Sequence, residues 1–452
     1  MVIGPRLRGS RTNGNVGATG EYRRDRGSHC PRSRAHRPAR RLHCHQDRRR
    51  TCPVRNPAKT LGMKLLVYSH YFAPSVGGVE SIVSSLASGL AGMRDSNGVP
   101  QFEITLVTQT PAGIYDDRGN AFRTVRKPSF AQLWQLVRSS DIVHVAGPAL
   151  APLFLGLLER KPVVVEHHGF QTICPNGQLL IEPAGAPCPG HFMAGRHVKC
   201  LRCNSEQGWL GSGKLWLLTF VRRFLCAHVA ANITPTEWLG GELHLPQSTT
   251  IPHGLETTEA APRLEPRRVP PILAFQGRLV TTKGVRILFE AARILREQGQ
   301  PLELLIIGDG PERDSLERFA REAKLDVQVR FAGRLDGAQL NAALAQSSVV
   351  VVPSLGGEVF GLVVAENMLR ALPVVASDLG AFVEVLGDAG FTFRTGDAAA
   401  LAAALSRLLE DPSLAVRLGQ RARERALDFC NNIRMIEAHA RVYRDAYAAA
   451  KA

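Results

Sequence analysis

Two carboxylates eight positions apart, Glu358 and Glu366, bracket a glycine-containing turn in the stretch PSLGGEVFGLVVAENMLRALPVV, which runs from Pro353 to Val375. The pattern reads as a strand end, a loop, and a helix opening at Gly361. Unpaired amides at such a helix start, with the helix dipole behind them, make a site for phosphate. From Gly361 to Glu366 the helix climbs about 7 to 8 Å at roughly 1.5 Å per residue. One carboxylate can then face a sugar on one side of a diphosphate and the other a ribose on the far side. The competing account is a surface helix with two solvated carboxylates. A second constellation, Arg278 and Lys283 in GRLVTTKG, sets two cations five apart in a glycine-bounded loop, an arrangement suited to a diphosphate. In the amino half, Gly77 and Gly78 in HYFAPSVGGVE either let backbone approach a ligand or serve a tight turn with positive φ. His168 in EHHGF is either a polar contact to substrate or a satisfied structural residue.

These residues must be positioned by alternating strands and helices. Apolar runs predict strands at Lys64 to Ser69, Phe102 to Thr108, Asp141 to Val145, Pro162 to Glu166 and Val229 to Thr234, with a helical period over Gly78 to Ala91. A second series follows at Ile272 to Gln276, Leu302 to Ile307, Val327 to Gly333, Ser348 to Val352 and Pro373 to Ala376. Alternation of this kind predicts an α/β protein with parallel sheets covered by helices on both faces, and ligands in such sheets sit beyond the carboxyl ends of the strands. The first glycine loop is not a G-x-G-x-x-G fingerprint, which removes the best support for hydride transfer.

Within the first series, between Glu166 and Val229, lies an insertion, Phe170 to Trp209, rich in Gly and Pro. It carries Cys174, Cys188, Cys200 and Cys203 spaced C-x13-C-x11-C-x2-C. Two readings stand beside each other: a structural zinc site stapling a loop too polar to pack by itself, and free or redox-linked thiols. The spacing offers no open-site triad for a catalytic metal. Gly213 to Ala227 reads as an amphipathic helix, with Trp216, Phe220 and Phe224 set among Lys214, Arg222 and Arg223. Core packing and a face lying on a membrane surface both fit it.

The chain has 452 residues and a formal charge of +16, unevenly spread. Met1 to Gly62 holds 16 Lys+Arg against 3 Asp+Glu, so the remainder is nearly neutral and a nucleic-acid partner is not expected for it. The Arg-rich leader has no apolar period. A misplaced start codon, with Met63 as the first residue, is the preferred reading over a disordered basic tail or a transit peptide. No stretch reaches the roughly 18 to 20 apolar residues of a membrane span. Cysteine usage suits a reduced compartment, so a cytoplasmic protein is expected, peripheral at the inner membrane face if the amphipathic helix docks there.

The order of GRLVTTKG, LLIIGDGPERDSL, VRFAGRL, the E-x7-E run and ALPVVASDLGAFVE, preceded by FAPSVGGVE, VVVEHHGF, TPTEWL and IPHGLE, resembles the family-4 glycosyltransferases, retaining enzymes of the GT-B architecture. The resemblance implies two Rossmann-like doubly wound domains with the active site in the cleft between them. The division expected is leader 1–62, an acceptor-side domain 63–256 containing the insertion 170–209, a linker 257–270, a nucleotide-sugar domain 271–430, and a carboxyl-terminal helix 431–452 returning to the first domain. By resemblance, Arg278 and Lys283 grip the donor diphosphate, Glu366 binds ribose hydroxyls, and Glu358 faces the donor sugar. The backbone of Val359, Phe360, Gly361 and Leu362 holds phosphate and sugar oxygens, Gly77 and Gly78 lie in a donor-contacting loop, and His168 stands at the reaction centre. The implied reaction moves a sugar from a UDP-, GDP- or ADP-sugar to a carbohydrate or lipid-linked acceptor with retention. No D-x-D pair occurs and no cofactor is required by this reading. A sugar-nucleotide epimerase and a non-catalytic glycan-binding or assembly subunit are the alternatives. Ala371 departs from the family's usual glycine at a helix end.

Overall fold

The computed structural model describes residues 62–452 except 76, 183, 205–206, 257–269 and 326–328. The leader 1–62 and the linker 257–270 therefore lie outside the described residues, Gly62 and Pro270 apart. The first sheet comprises β1 Met63–Ser69, β2 Phe102–Thr108, β3 Arg123–Arg126, β4 Ile142–Ala146 and β5 Val163–Glu166, then, past a two-stranded hairpin of β6 Leu180–Ile181 and β7 Ala186–Pro187, β8 Ala231–Thr234 and β9 Ser248–Thr250. The second sheet comprises β10 Ile272–Gln276, β11 Glu303–Ile307, β12 Val329–Gly333, β13 Val349–Val352, β14 Val374–Ser377 and β15 Phe391–Phe393.

Strand order is β3-β2-β1-β4-β5-β8-β9 in the first sheet and β12-β11-β10-β13-β14-β15 in the second. The pairings within both are parallel. Runs such as Val349–Val352 are buried along their whole length, as strands covered on both faces must be. Each sheet is thus doubly wound from a central strand, β1 or β10, and the order reverses between that strand and its neighbour β4 or β13. The crevice at such a reversal is where α/β sheets bind ligands. The loops after β10 and β13, which carry Arg278, Lys283 and Glu358, open at that point.

The chain crosses between the sheets at two adjacent places. Leu255 bridges Asn431 in parallel, and its amide donates to the Cys430 carbonyl at 2.9 Å. The helix Asn432–Lys451 then packs along the helix Gly78–Gly92 on the first sheet, burying Met435, His439, Ala440 and Tyr443. At the end of the helix Leu362–Leu369, Ala371 sits at φ 54°, the left-handed region that costs an L-residue roughly 1–2 kcal/mol and that glycine adopts freely. Ala371→Gly is expected to raise stability by about 1 kcal/mol, read as a higher urea midpoint at unchanged slope; an unchanged or lower midpoint would contradict it.

Candidate functional site

The rim of the second sheet is built by backbone packing on backbone. Gly284 has φ 64°, and a Cβ there would stand 2.0 Å from the Pro353 carbonyl oxygen. The cation loop and the Glu358 loop therefore touch only because residue 284 lacks a side chain. The Leu355 amide donates to Thr282 O at 2.7 Å across the same seam. From the other side, the Leu279 amide donates to Asp309 O at 3.0 Å and the Glu312 amide to Leu279 O at 3.1 Å, so the turn after β11 holds the cation loop in place.

Within this frame Lys283 Nζ meets Glu358 Oε1 at 2.5 Å, and Ser354 Oγ donates to the same oxygen at 2.9 Å. The cation expected on the diphosphate and the carboxylate expected on the sugar thus hold each other. Arg278 is exposed and forms no ion pair among the described residues, which leaves its guanidinium available to an anion. Gly361 caps the helix Leu362–Leu369 at φ 93°, where a Cβ would strike Phe382 at 2.6 Å.

Glu366 lies one turn into that helix. Gln276 Nε2 donates to its Oε2 at 3.2 Å, and Asn367 Nδ2 orients Gln276 by donating to its Oε1 at 3.1 Å. Burial pushes the Glu366 carboxyl up, with Arg370 and Gln276 acting against it. A cavity of about 810 Å³ opens beside Glu366 and Arg370, walled on the other side by Glu80, Ser84 and Ser88 of the helix Gly78–Gly92. Of the residues expected at the site it is lined by Glu366 alone, and Arg278, Lys283, Glu358 and His168 lie outside its lining.

The glycine loop of the first sheet comes to the same place. Gly77 is extended at φ −166°, and neither Gly77 nor Gly78 has positive φ, which rules out the tight-turn reading. Their bareness serves close approach instead: a Cβ on Gly78 would lie 2.3 Å from Leu362 Cδ1 at the start of the facing helix. Thr236 Oγ1 donates to the Val359 carbonyl at 3.0 Å, and the amides of Glu237 and Trp238 both donate to the Glu384 carboxylate at 2.8 Å. Val359 and Phe360 are thereby fixed from the first-sheet side.

His168 belongs to a cluster that its local sequence does not reveal. Glu166, at the end of β5, is fully buried and ringed by four imidazoles. His144 Nε2 stands 3.4 Å from its carboxylate, His168 Nε2 3.5 Å, His253 Nδ1 3.5 Å and His439 Nε2 3.7 Å. Burial alone would raise the Glu166 carboxyl, but the charges of His168 and His439 and the hydrogen bonds of His144 and His168 outweigh it and hold it well below the usual carboxylate range. Burial pushes His253 down to about 3 and His167 down to about 4. Tyr443 OH bonds His144 Nδ1 at 2.9 Å, and His168 stacks on His253, whose ring lies 4.9 Å from Phe360. A chain of rings thus connects the buried carboxylate to the Glu358 loop. Glu166, His168 and His253 also bring three ligand atoms within 4.8 Å of one another. The carboxylate itself occupies the point the rings face, which suits an ion-pair cluster better than a metal centre.

Comparison with known proteins fits this geometry. Residues 257–425 match the family model for glycosyl transferases group 1. Phosphatidyl-myo-inositol mannosyltransferase of Mycobacterium leprae is 38% identical over 250 residues, 54% of this chain and 64% of that protein. Glycogen synthase of Mycobacterium tuberculosis is 33% identical over 246 residues, 51% of this chain and 56% of that protein. The chain thus spans between about half and just under two thirds of these curated relatives. The Anabaena protein Alr3699/HepE, crystallised with UDP and glucose, superposes with a TM-score of 0.62 at 16% identity, covering 85% of this chain and all of its own. Its likeness shows the fold, two Rossmann-like domains in the GT-B arrangement. The matched residues contain Arg278, Lys283, Glu358 and Glu366, whereas His168 and the cysteines lie outside them.

A fully buried, histidine-ringed carboxylate makes stability depend on pH with a definite sign. His253 and His167 have depressed values in the fold and an ordinary value of 6.5 when unfolded, so the unfolded chain binds their protons first. Their stabilisation is complete above pH 6.5 and drains away as pH falls toward 4 and then 3. Glu166, also depressed, acts in the same direction below its ordinary 4.5. The melting temperature is expected to fall steadily from pH 7 to pH 4, and a flat profile would refute the assignment.

Proposed function

We propose that the chain is a retaining hexosyltransferase that takes its sugar from a nucleoside diphosphate sugar. The observation that carries this reading is the convergence at one helix start: the open Arg278, the Lys283–Glu358 pair and the bare amides after Phe360, with Glu366 one turn beyond. A diphosphate entering between Arg278 and Lys283 competes for the Lys283 ammonium and releases Glu358 toward the sugar. Glu366 then accepts from ribose hydroxyls, with Gln276 and Asn367 fixing its direction. The relatives' names, a mannosyltransferase and a glycogen synthase, support a hexose as the transferred group.

In the reaction the bond from the anomeric carbon to the diphosphate breaks, and its electron pair leaves with the phosphate. The acceptor oxygen bonds to the same face of that carbon, and the acceptor's proton passes to the departing phosphate oxygen. Charge therefore accumulates on the diphosphate as an oxocarbenium-like sugar forms. Preorganised cations and amides lower the barrier by meeting that charge where it develops. Glu358, held by Lys283 and Ser354, is placed to steady the sugar rather than to form a covalent bond. His168, held in the ring of imidazoles around Glu166, stacks on His253 beside Phe360.

A lipid-linked acceptor is supported by the helix Gly208–Cys226. Trp209 is 83% exposed, Leu210 71% and Phe224 63%, and the helix carries Lys214, Arg222 and Arg223 with no acidic residue. A helix of this kind suits an anionic membrane surface, and the M. leprae relative is named for a phosphatidylinositol acceptor. No helix among the described residues is long and apolar enough to cross a membrane.

A panel of UDP-, GDP- and ADP-sugars, followed by thermal shift and by mass spectrometry of the released nucleotide, tests the reading. One donor is expected to raise the melting temperature and to lose its sugar only with an acceptor present. A changed sugar still attached to its nucleotide would mark an epimerase, and no shift with any donor would remove the donor site. Arg278→Ala is expected to lower transfer by roughly 10²- to 10³-fold, and Glu366→Ala to weaken donor binding, both with the fold intact by circular dichroism.

A further inference from the structure

The insertion between β5 and β8 has little of its own to hold it together. From Pro175 to Asn204 the buried apolar side chains among the described residues are Pro175, Leu180, Phe192 and Cys200. The regular structure of that segment among the described residues is the β6–β7 hairpin and the seven-residue helix His197–Cys203. Nevertheless the fold brings Cys174, Cys188, Cys200 and Cys203, far apart in sequence, around one cavity of about 10 Å³, the scale of a single small occupant. The four thiols are unpaired as disulfides.

The surroundings offer the sulfurs polar contacts. The Cys174 thiol donates to Asn176 Oδ1 at 2.9 Å. Cys203 Sγ accepts from the Glu182 amide at 3.3 Å and from Asn176 Nδ2 at 3.5 Å. Lys199 lines the cavity and offers a cation to a site whose four thiolates would outweigh a divalent ion by two charges. His191 lines it too; that residue is 8% exposed, and its Nδ1 has no hydrogen-bond partner among the described residues. A buried imidazole left without a hydrogen bond is costly, and an N–H donated to a thiolate would satisfy it.

We propose that Cys174, Cys188, Cys200 and Cys203 bind one zinc ion as a tetrathiolate site that staples the insertion. No three of the sulfurs lie within 4.8 Å of one another, so every set of three has at least one pair wider than the ~3.8 Å edge of a zinc–thiolate tetrahedron built on bonds of about 2.3 Å. Binding draws the loop inward and releases thiol protons. The alternative centre at Glu166, His168 and His253 lacks this need, because its carboxylate already occupies the common point.

The staple has a second consequence, which rests on the donor-site reading above. The segment inside the cysteine ring touches the proposed donor loops twice. The Gly357 amide, next to Glu358, donates to Gln178 O at 2.7 Å, and a Cβ on Gly185 would lie 3.1 Å from Thr281 Cγ2 in the cation loop. Zinc binding at the cysteines thereby braces the Glu358 loop from the first-sheet side.

The experiment uses the full chain, purified under reducing conditions and loaded with zinc alone, then with cobalt alone in its place. Metal analysis after gel filtration is expected to give about one zinc per chain, and cobalt to give a thiolate charge-transfer band. Cys200→Ser with Cys203→Ser should lose both, whereas Cys226→Ser, a buried thiol outside the cavity, should keep both. Parent protein that takes up no zinc, or a double variant that retains it, would overturn the site; so would a chain whose mass shows disulfides in place of metal. These readouts contain no nucleotide, so failure of the donor reading leaves them standing. For the bracing, the zinc-free protein is expected to show a weaker thermal shift with the nucleotide sugar that the parent binds. An equal shift with and without zinc would overturn that part.

Discussion

The proposed donor rim depends on one steric constraint: main chain must lie directly on main chain where the loops after β10, β11 and β13 meet. At Gly284, Gly308 and Gly310 a single added carbon would stand 2.0, 1.8 and 2.4 Å from the carbonyl oxygens of Pro353, Gly277 and Leu279. Contacts that short leave no room for any side chain. Because the three loops are fused in this way, Arg278, Lys283 and Glu358 are placed by rigid backbone rather than by their own flexible stems. Preorganisation of this kind is what electrostatic stabilisation of a leaving diphosphate requires.

The first-sheet side achieves rigidity by a different route. An ionised carboxylate out of water is costly unless surrounded by groups that stabilise its charge, and Glu166 draws those groups from β4, the loop after β5, the loop after β9 and the helix Asn432–Lys451. Four elements are thereby pinned to one point, and His168 takes its position from that arrangement. The exposed rim and the buried cluster communicate through the stacked rings of His168 and His253 and the contact with Phe360.

Much of this was legible in the sequence, and what was not has physical reasons. The apolar runs of the central strands gave their positions to within a residue or two, because strands buried on both faces admit few polar residues. The edge strands β3, Arg-Thr-Val-Arg, and β9, Ser-Thr-Thr, escaped because a strand half open to water carries no apolar signature. Arg278, Lys283, Glu358 and Glu366 were legible as candidates from residue type and spacing, and the fold sets the first three on the touching loops after β10 and β13 and Glu366 on the helix that follows. The pairing of Lys283 with Glu358, and the Asn367–Gln276–Glu366 relay, were not, because each joins residues 75 to 91 positions apart. The histidine ring was hidden for the same reason. His144 sits singly in an apolar strand and His439 singly on a helix, and only the fold shows that both face Glu166. The signal available was the unusual presence of a histidine in an otherwise apolar core strand. The cysteines were noticed by their bunching, but their common cavity appears only in three dimensions.

The position of His439 and Tyr443 on the helix Asn432–Lys451 bears on how the chain is made. The strands that carry His144 and Glu166 leave the ribosome long before that helix does. Until it arrives, the amino-terminal sheet has a carboxylate in its interior with part of its ring of partners missing and the groove beside the helix Gly78–Gly92 uncovered. The amino-terminal half is therefore completed only after a helix encoded far later has been made, although its sheet can assemble earlier. Truncation near the carboxyl end would accordingly be felt in the amino-terminal core, at a distance of hundreds of residues along the chain and a single side chain's length in space.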